Sequence, residues 1–253
     1  MTDPITAVTA ASGLAALGAL QRSPLPWLAL TLLAYLAALW LYRRSGNNPF
    51  LLPVLTAVVG IVCVLLVLGV PYPVYFEGVQ LIHFFVGPAT VALAVPLYSQ
   101  LGKIRQIWRP VAIALLAGSV AAIASAVLVA WALGGSLQTL MSLAPKSATI
   151  PIATAVAERL GGIASLAAVA VAITGIAGAV IAGPLLRLLR LNDDPVVRGF
   201  AVGLTAHAIG TARELQANPT AGSFAALAMA LNGIATALLM PAVAALLHWA
   251  GVW

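Results

Sequence analysis

The chain has 253 residues, of which 62% are hydrophobic and 7% charged, with a formal net charge of +6 and a mean hydropathy of +1.08. Soluble domains carry about 25% charged residues, and no soluble fold of this length hides so much apolar surface, so the composition excludes a soluble protein and points to an all-α, polytopic bundle in a lipid bilayer. The positive charge is no nucleic-acid footprint: eight of the twelve basic residues fall in three short segments, 43–44, 103–109 and 187–198, the pattern of loops kept on the cytoplasmic side of a membrane.

Residues 1–24 read as an N-terminal extension. Its apolar run 5–20 lacks the leading basic residues of a secretory signal and is expected to be a weak extra membrane or interfacial segment. Residues 25–253 read as a single transmembrane domain. A spanning helix needs about 20 residues. Segment 27–42 is the first span, closed by Tyr42-Arg43-Arg44, and 50–69 follows the turn Ser45-Gly46-Asn47-Asn48-Pro49. Cys63, the single cysteine, lies in this apolar run, where a thiol is read as packing. Loop 70–78 has no Lys or Arg, and its aromatic residues suit a membrane–water interface. Segment 79–99 is interrupted by Gly87-Pro88 and Pro96; the basic loop 100–109 and the span 110–133 follow.

Parity then becomes informative. With basic loops inside, 134–136 lies outside, and the basic loop 185–198 should lie inside. Two apolar segments, 137–159 and 162–184, separate them. One of the two must fail to cross, and 137–159, broken by Pro145 and Pro151, is expected to be re-entrant. The competing topology has two crossings and three arginines outside. Segment 196–215 follows Pro195 at a helix start, and 224–250, interrupted by Pro241, ends the chain. The orientation of the C-terminus stays open. A faint echo between Val86-Gly87-Pro88-Ala89 and Ile209-Gly210-Thr211-Ala212 raises two internal repeats as a further expectation.

Lys146 is the residue that points furthest toward function. Irregular backbone at membrane depth is tolerated only where protein or water covers it, and a cation there marks a functional site. A positive charge beside free helix ends suits an anion. Three broken segments, 83–99, 144–160 and 205–223, hold most of the polar groups. From them, and from Leu231-Asn232-Gly233, come the candidate substrate contacts Lys146, Ser147, Thr149, His207, Thr211, Arg213, Thr90 and Asn232. His207 and Glu158 are the candidates for proton coupling, His207 because imidazole titrates near neutrality. Each has a plainer role to set beside this. Thr90, Thr154 and Thr205 suit bonds to their own helix, Glu158-Arg159 and Arg213-Glu214 border polar stretches, and Lys146 could snorkel to an interface. No metal-ligand spacing, nucleotide loop or paired intramembrane carboxylates occur, so neither an enzyme, a metal nor a cofactor is expected.

Several blocks in order and spacing carry a resemblance. They include Tyr75-Phe76-Glu77-Gly78, Gly87-Pro88-Ala89-Thr90, Ser142-Leu143-Ala144-Pro145-Lys146-Ser147, Glu158-Arg159-Leu160-Gly161-Gly162 and Ala206-His207-Ala208-Ile209-Gly210-Thr211-Ala212-Arg213. The chain resembles the LrgB/CidB family from about Trp27 to His248, departing from its pattern at Ala148 and Ile150. The resemblance implies an integral protein of the bacterial cytoplasmic membrane. Bacterial members are described as holin- or antiholin-like modulators of murein hydrolase activity and autolysis, paired with a small LrgA/CidA-type membrane subunit. Similar plant proteins are plastidial glycolate/glycerate translocators. Two functions therefore stand. One is a transporter of small carboxylates such as glycolate, glycerate or pyruvate, with the anion held around Lys146. The other is a holin-like pore or hydrolase regulator acting with that small subunit. A homo-oligomer in the bilayer is expected in either case.

Overall fold

In lipid a backbone must satisfy its own hydrogen bonds, and every regular element among the described residues is a helix. The computed structural model describes residues 23–46, 48–92 and 94–249; the side chains of Pro49, Thr90, Pro96 and Leu97 lie outside the described residues. The apolar run 5–20 lies outside them as well, so the extension 1–24 is described only at its last two residues. The chain forms two units, Met1–Ala92 and Leu93–Trp253.

The first unit holds α1 (Pro24–Arg44), a 3-10 turn (Pro49–Leu51), α2 (Pro53–Leu68), α3 (Tyr72–Gly78) and α4 (Gln80–Ala92). Prolines open α1 and α2 at positions where a missing N–H costs nothing. Gly69 closes α2 with φ 63°, a left-handed cap that glycine adopts without strain. Trp27, Ile61, Leu65, Val70 and Val79 form the core, and Trp27 meets Tyr75 edge to face at 6.1 Å. Cys63 is exposed on α2 and is not core packing. Pro88 sits inside α4, which continues past it.

The second unit holds α5 (Ala94–Ser99), α6 (Leu101–Gln106), α7 (Trp108–Ala132), α8 (Leu137–Leu143), α9 (Ile150–Arg159), α10 (Ala164–Leu188), α11 (Pro195–Ala217) and α12 (Pro219–Trp249). With α1, helices α7, α10 and α12 are long and apolar enough to cross a membrane. Helices α8 and α9 have 7 and 10 residues, about 10 and 15 Å, too short to cross an apolar layer of about 30 Å. The chain runs inward through α8 and the turns at 144–149 and returns through α9. Ser142 Oγ then joins the two ends, donating to Gln138 O at 2.6 Å and accepting from Ile163 N–H at 2.7 Å. Segment 137–159 is thus a hairpin of two short helices, the form expected of a re-entrant element.

Helix α11 departs from expectation. The sequence reads 196–215 as one segment, whereas α11 is two short helices folded back on each other. His207 has φ 39° and ψ −127°, near the first central position of a type II′ turn, and the chain reverses there. Arg198 Nε and Glu214 Oε2 stand 2.7 Å apart; on one straight helix they would be separated by about 24 Å. A Cβ on Gly210 would meet Val202 Cγ1 at 2.6 Å, so the arms 195–206 and 208–217 lie side by side. Asp194 caps the first arm, accepting from Val196 and Val197 N–H at 2.8 and 3.3 Å. Helix α12 packs on that arm with backbones touching: a Cβ on Gly203 would fall 2.1 Å from Ala225 O.

The hairpin settles the orientation of α12. Both ends of α11 lie on the face that carries Arg187, Arg190 and Arg198, so α12 starts from that face and ends on the other. The hairpin α8–α9 is entered from the opposite face, after α7 has crossed. Two re-entrant hairpins thus approach from opposite sides of the second unit. Of the two echoing stretches, 86–89 lies within α4 and 209–212 in the returning arm of a hairpin.

Candidate functional site

Asn232 brings the two hairpin tips together. Its Nδ2 donates to Ser147 O in the first tip at 2.8 Å and to Leu204 O, just before the second tip, at 3.2 Å. Its Oδ1 accepts from Ser119 Oγ on α7 at 2.7 Å. Both side chains are 1% exposed. Ser119 and Asn232 stand about 16 and 20 Å along α7 and α12 from the basic face, near the middle of an apolar layer of about 30 Å. A buried amide that satisfies three partners at this depth fixes where both tips sit.

His207 secures the second tip to α10. Its Nε2–H donates to Val171 O at 2.9 Å, which sets the tautomer or a doubly protonated ring. The first tip packs on the same place, since Ala148 and Ala153 cluster with Val171. Glycine makes room for the ring: a Cβ on Gly175 would stand 2.4 Å from His207 Cε1. Gly233 does the same for the returning arm α9, where a Cβ would stand 2.6 Å from Ile152 Cδ1. Both returning arms, α9 and 208–217, begin at the tips. Two helix N-termini, each equivalent to about half a positive charge, therefore start from one region at mid-depth.

Lys146 lies in the first tip, half-buried, and its ammonium group has no hydrogen bond or ion pair among the described residues. Ser147 is buried and contributes its carbonyl to Asn232. Thr149 precedes α9 without a capping bond from its side chain. Thr211 is buried beside the second tip, its hydroxyl directed to Met229 Sδ at 3.8 Å. Thr90 belongs to the first unit, and its side chain lies outside the described residues.

Two candidates stand elsewhere. Glu158 is exposed at the far end of α9, one helix length from the tip. Arg213 points away along α10, where its Nη1 donates to Ala179 O. Thr154 and Thr205 bond their own helices, at Ile150 O and Ala201 O. Glu214 is 1% exposed and paired to Arg198 rather than bordering a polar loop. The sequence did not single out Ser119 or the Val171 carbonyl. Ser119 carries a weak signal as a hydroxyl deep in an apolar run; a backbone carbonyl carries none.

The model of the LrgB-like family matches residues 31–246. The chain is 39% identical over 220 residues to protein YxaC of Bacillus subtilis (strain 168), covering 87% of this chain and 94% of that one. An uncharacterized protein of Haemophilus influenzae is 34% identical over 221 residues, with the same 87% and 94% covered. The antiholin-like protein LrgB of Bacillus mycoides (strain KBAB4) is 28% identical over 211 residues, 83% of this chain and 91% of the relative. No solved structure matches.

Proposed function

The chain belongs to the LrgB-like family of integral membrane proteins, and from that premise and its geometry we propose that it carries small carboxylate anions, of the glycolate, glycerate or pyruvate class, across the bacterial cytoplasmic membrane. One observation supports this above others: two re-entrant hairpins from opposite faces meet at mid-depth on Asn232, with Lys146 in one tip. Carriers place their sites at such broken helices because half-helix N-termini attract anionic groups. Lys146 supplies the full charge, and the N–H groups opening α9 and 208–217 supply partial charges. Ser147 and Thr149 flank the lysine for substrate oxygens. His207 holds the tip in place and is the group through which a proton could be coupled; Glu158, exposed and distant, is not retained for that role.

Purified protein in proteoliposomes should take up one of these acids with saturation. Lys146→Ala should lower that uptake about tenfold to a hundredfold, since a hydrogen bond to a charged group contributes about 1.5–3 kcal/mol. Unchanged uptake by a folded Lys146→Ala protein removes the lysine from the site. The name of the Bacillus mycoides relative, antiholin-like protein LrgB, favours the second function, a pore or regulator acting with a small LrgA/CidA-type subunit. Unsaturable leakage of sucrose alongside the acids would establish that one and overturn the carrier.

A further inference from the structure

A polar cavity opens on the basic face, between α10 and the α11 hairpin. Its volume is about 140 Å³, room for four or five waters at about 30 Å³ each. Arg187, Asn192, Arg198, Arg213 and Glu214 line it. The one carboxylate is held in an ion pair, Glu214 Oε2 standing 2.7 Å from Arg198 Nε without the alignment of a hydrogen bond. Asp193 does not line the cavity, and Asp194 is turned to the N–H groups that it caps. Two guanidinium groups remain. A Cβ built on Gly183 would lie 3.4 Å from Arg213 Nη2 and 4.0 Å from Arg187 Nη1, so both reach one small volume. The Arg187 guanidinium has no hydrogen bond or ion pair among the described residues. Like charges this close repel, and an anion between them removes the repulsion. The planar fork of arginine matches carboxylate and phosphate oxygens.

We propose that this cavity is an oxyanion site, taking one carboxylate or phosphate group between Arg187 and Arg213, from a free solute or from the headgroup of an acidic lipid. It lies about 18 Å along α10 from Val171 and does not rest on the carrier function.

The test uses the full chain carrying Lys146→Ala, so that binding at the hairpin tips is weakened and failure of one site is not mistaken for failure of the other. In phosphatidylcholine nanodiscs, sodium phosphate and sodium pyruvate are titrated calorimetrically against matched sodium chloride. In parallel, native mass spectrometry counts phosphatidylglycerol molecules retained from mixed lipid. Binding of either salt assigns a free anion; retention of phosphatidylglycerol alone assigns a lipid headgroup. In both cases Arg187→Gln should weaken the signal about tenfold, a change of one RT ln 10 unit. The Arg187 guanidinium makes no structural bond, so its variant should fold; Arg213→Gln, which also loses the bond to Ala179 O, is the second variant. No binding in either arm, or binding that Arg187→Gln and Arg213→Gln both leave intact, overturns the proposal.

Discussion

At His207 two energies oppose each other. A histidine at φ 39° and ψ −127° occupies a backbone region that favours glycine, at a cost of about 1–3 kcal/mol. Against that, its ring satisfies the buried Val171 carbonyl, which would cost about 1–3 kcal/mol if left unpaired. The substitutions Gly and Ala separate the two. His207→Gly relieves the strain and loses the bond, for a net change of no more than about 2 kcal/mol in either direction. His207→Ala keeps the strain and loses the bond, and should unfold at a clearly lower temperature in detergent than His207→Gly. If His207→Ala melts with the native protein, the ring does not hold the tip. Both variants should transport poorly if the tip must be held for substrate to bind.

At the scale of elements, the two hairpins were unequally legible. Pro145 and Pro151 flank the first tip, and proline is a signal that survives any context; charge parity then required that this segment not cross. The second tip has no proline or glycine at position 207. Its 23-residue helix has the length of a span. The fold-back is encoded instead by contacts far apart in sequence, Arg198 with Glu214 and Gly210 with Val202, which periodicity does not reveal. The same hidden turn explains Arg213 and Glu214, read as bordering a polar stretch but aimed into the cavity on the basic face. Lys146, Ser147, His207 and Asn232 were legible because each is polar within an apolar run. The close approach of α11 and α12 can be tested directly. Gly203→Ala would drive a methyl to 2.1 Å from the backbone oxygen of Ala225, an overpacking that typically costs about 1–3 kcal/mol. Gly60 in α2 has nothing within 4 Å, and alanine favours helix by up to about 1 kcal/mol. Gly203→Ala should therefore lower the detergent melting temperature while Gly60→Ala does not; equal melting would mean that the helices are not in backbone contact.

In the second unit as a whole, the buried Asn232 links both tips to the long apolar helix α7 through Ser119. That arrangement makes a strict prediction about sidedness. If α11 folds back, residues at its two ends face the same compartment. If α11 crosses as one helix, they face opposite compartments, and the tip at His207 does not exist. Single cysteines at Leu191, Gln216, Leu133 and Ile163, all outside the buried set, can be placed in a Cys63→Ala background, since Cys63 is itself exposed. A membrane-impermeant maleimide applied to sealed vesicles of one orientation should label Leu191→Cys and Gln216→Cys together, and should label Leu133→Cys and Ile163→Cys together only in vesicles of the other orientation. Labelling of Gln216→Cys from the same side as Leu133→Cys would leave α11 as a single span, and the site built on two facing tips would fall with the hairpin.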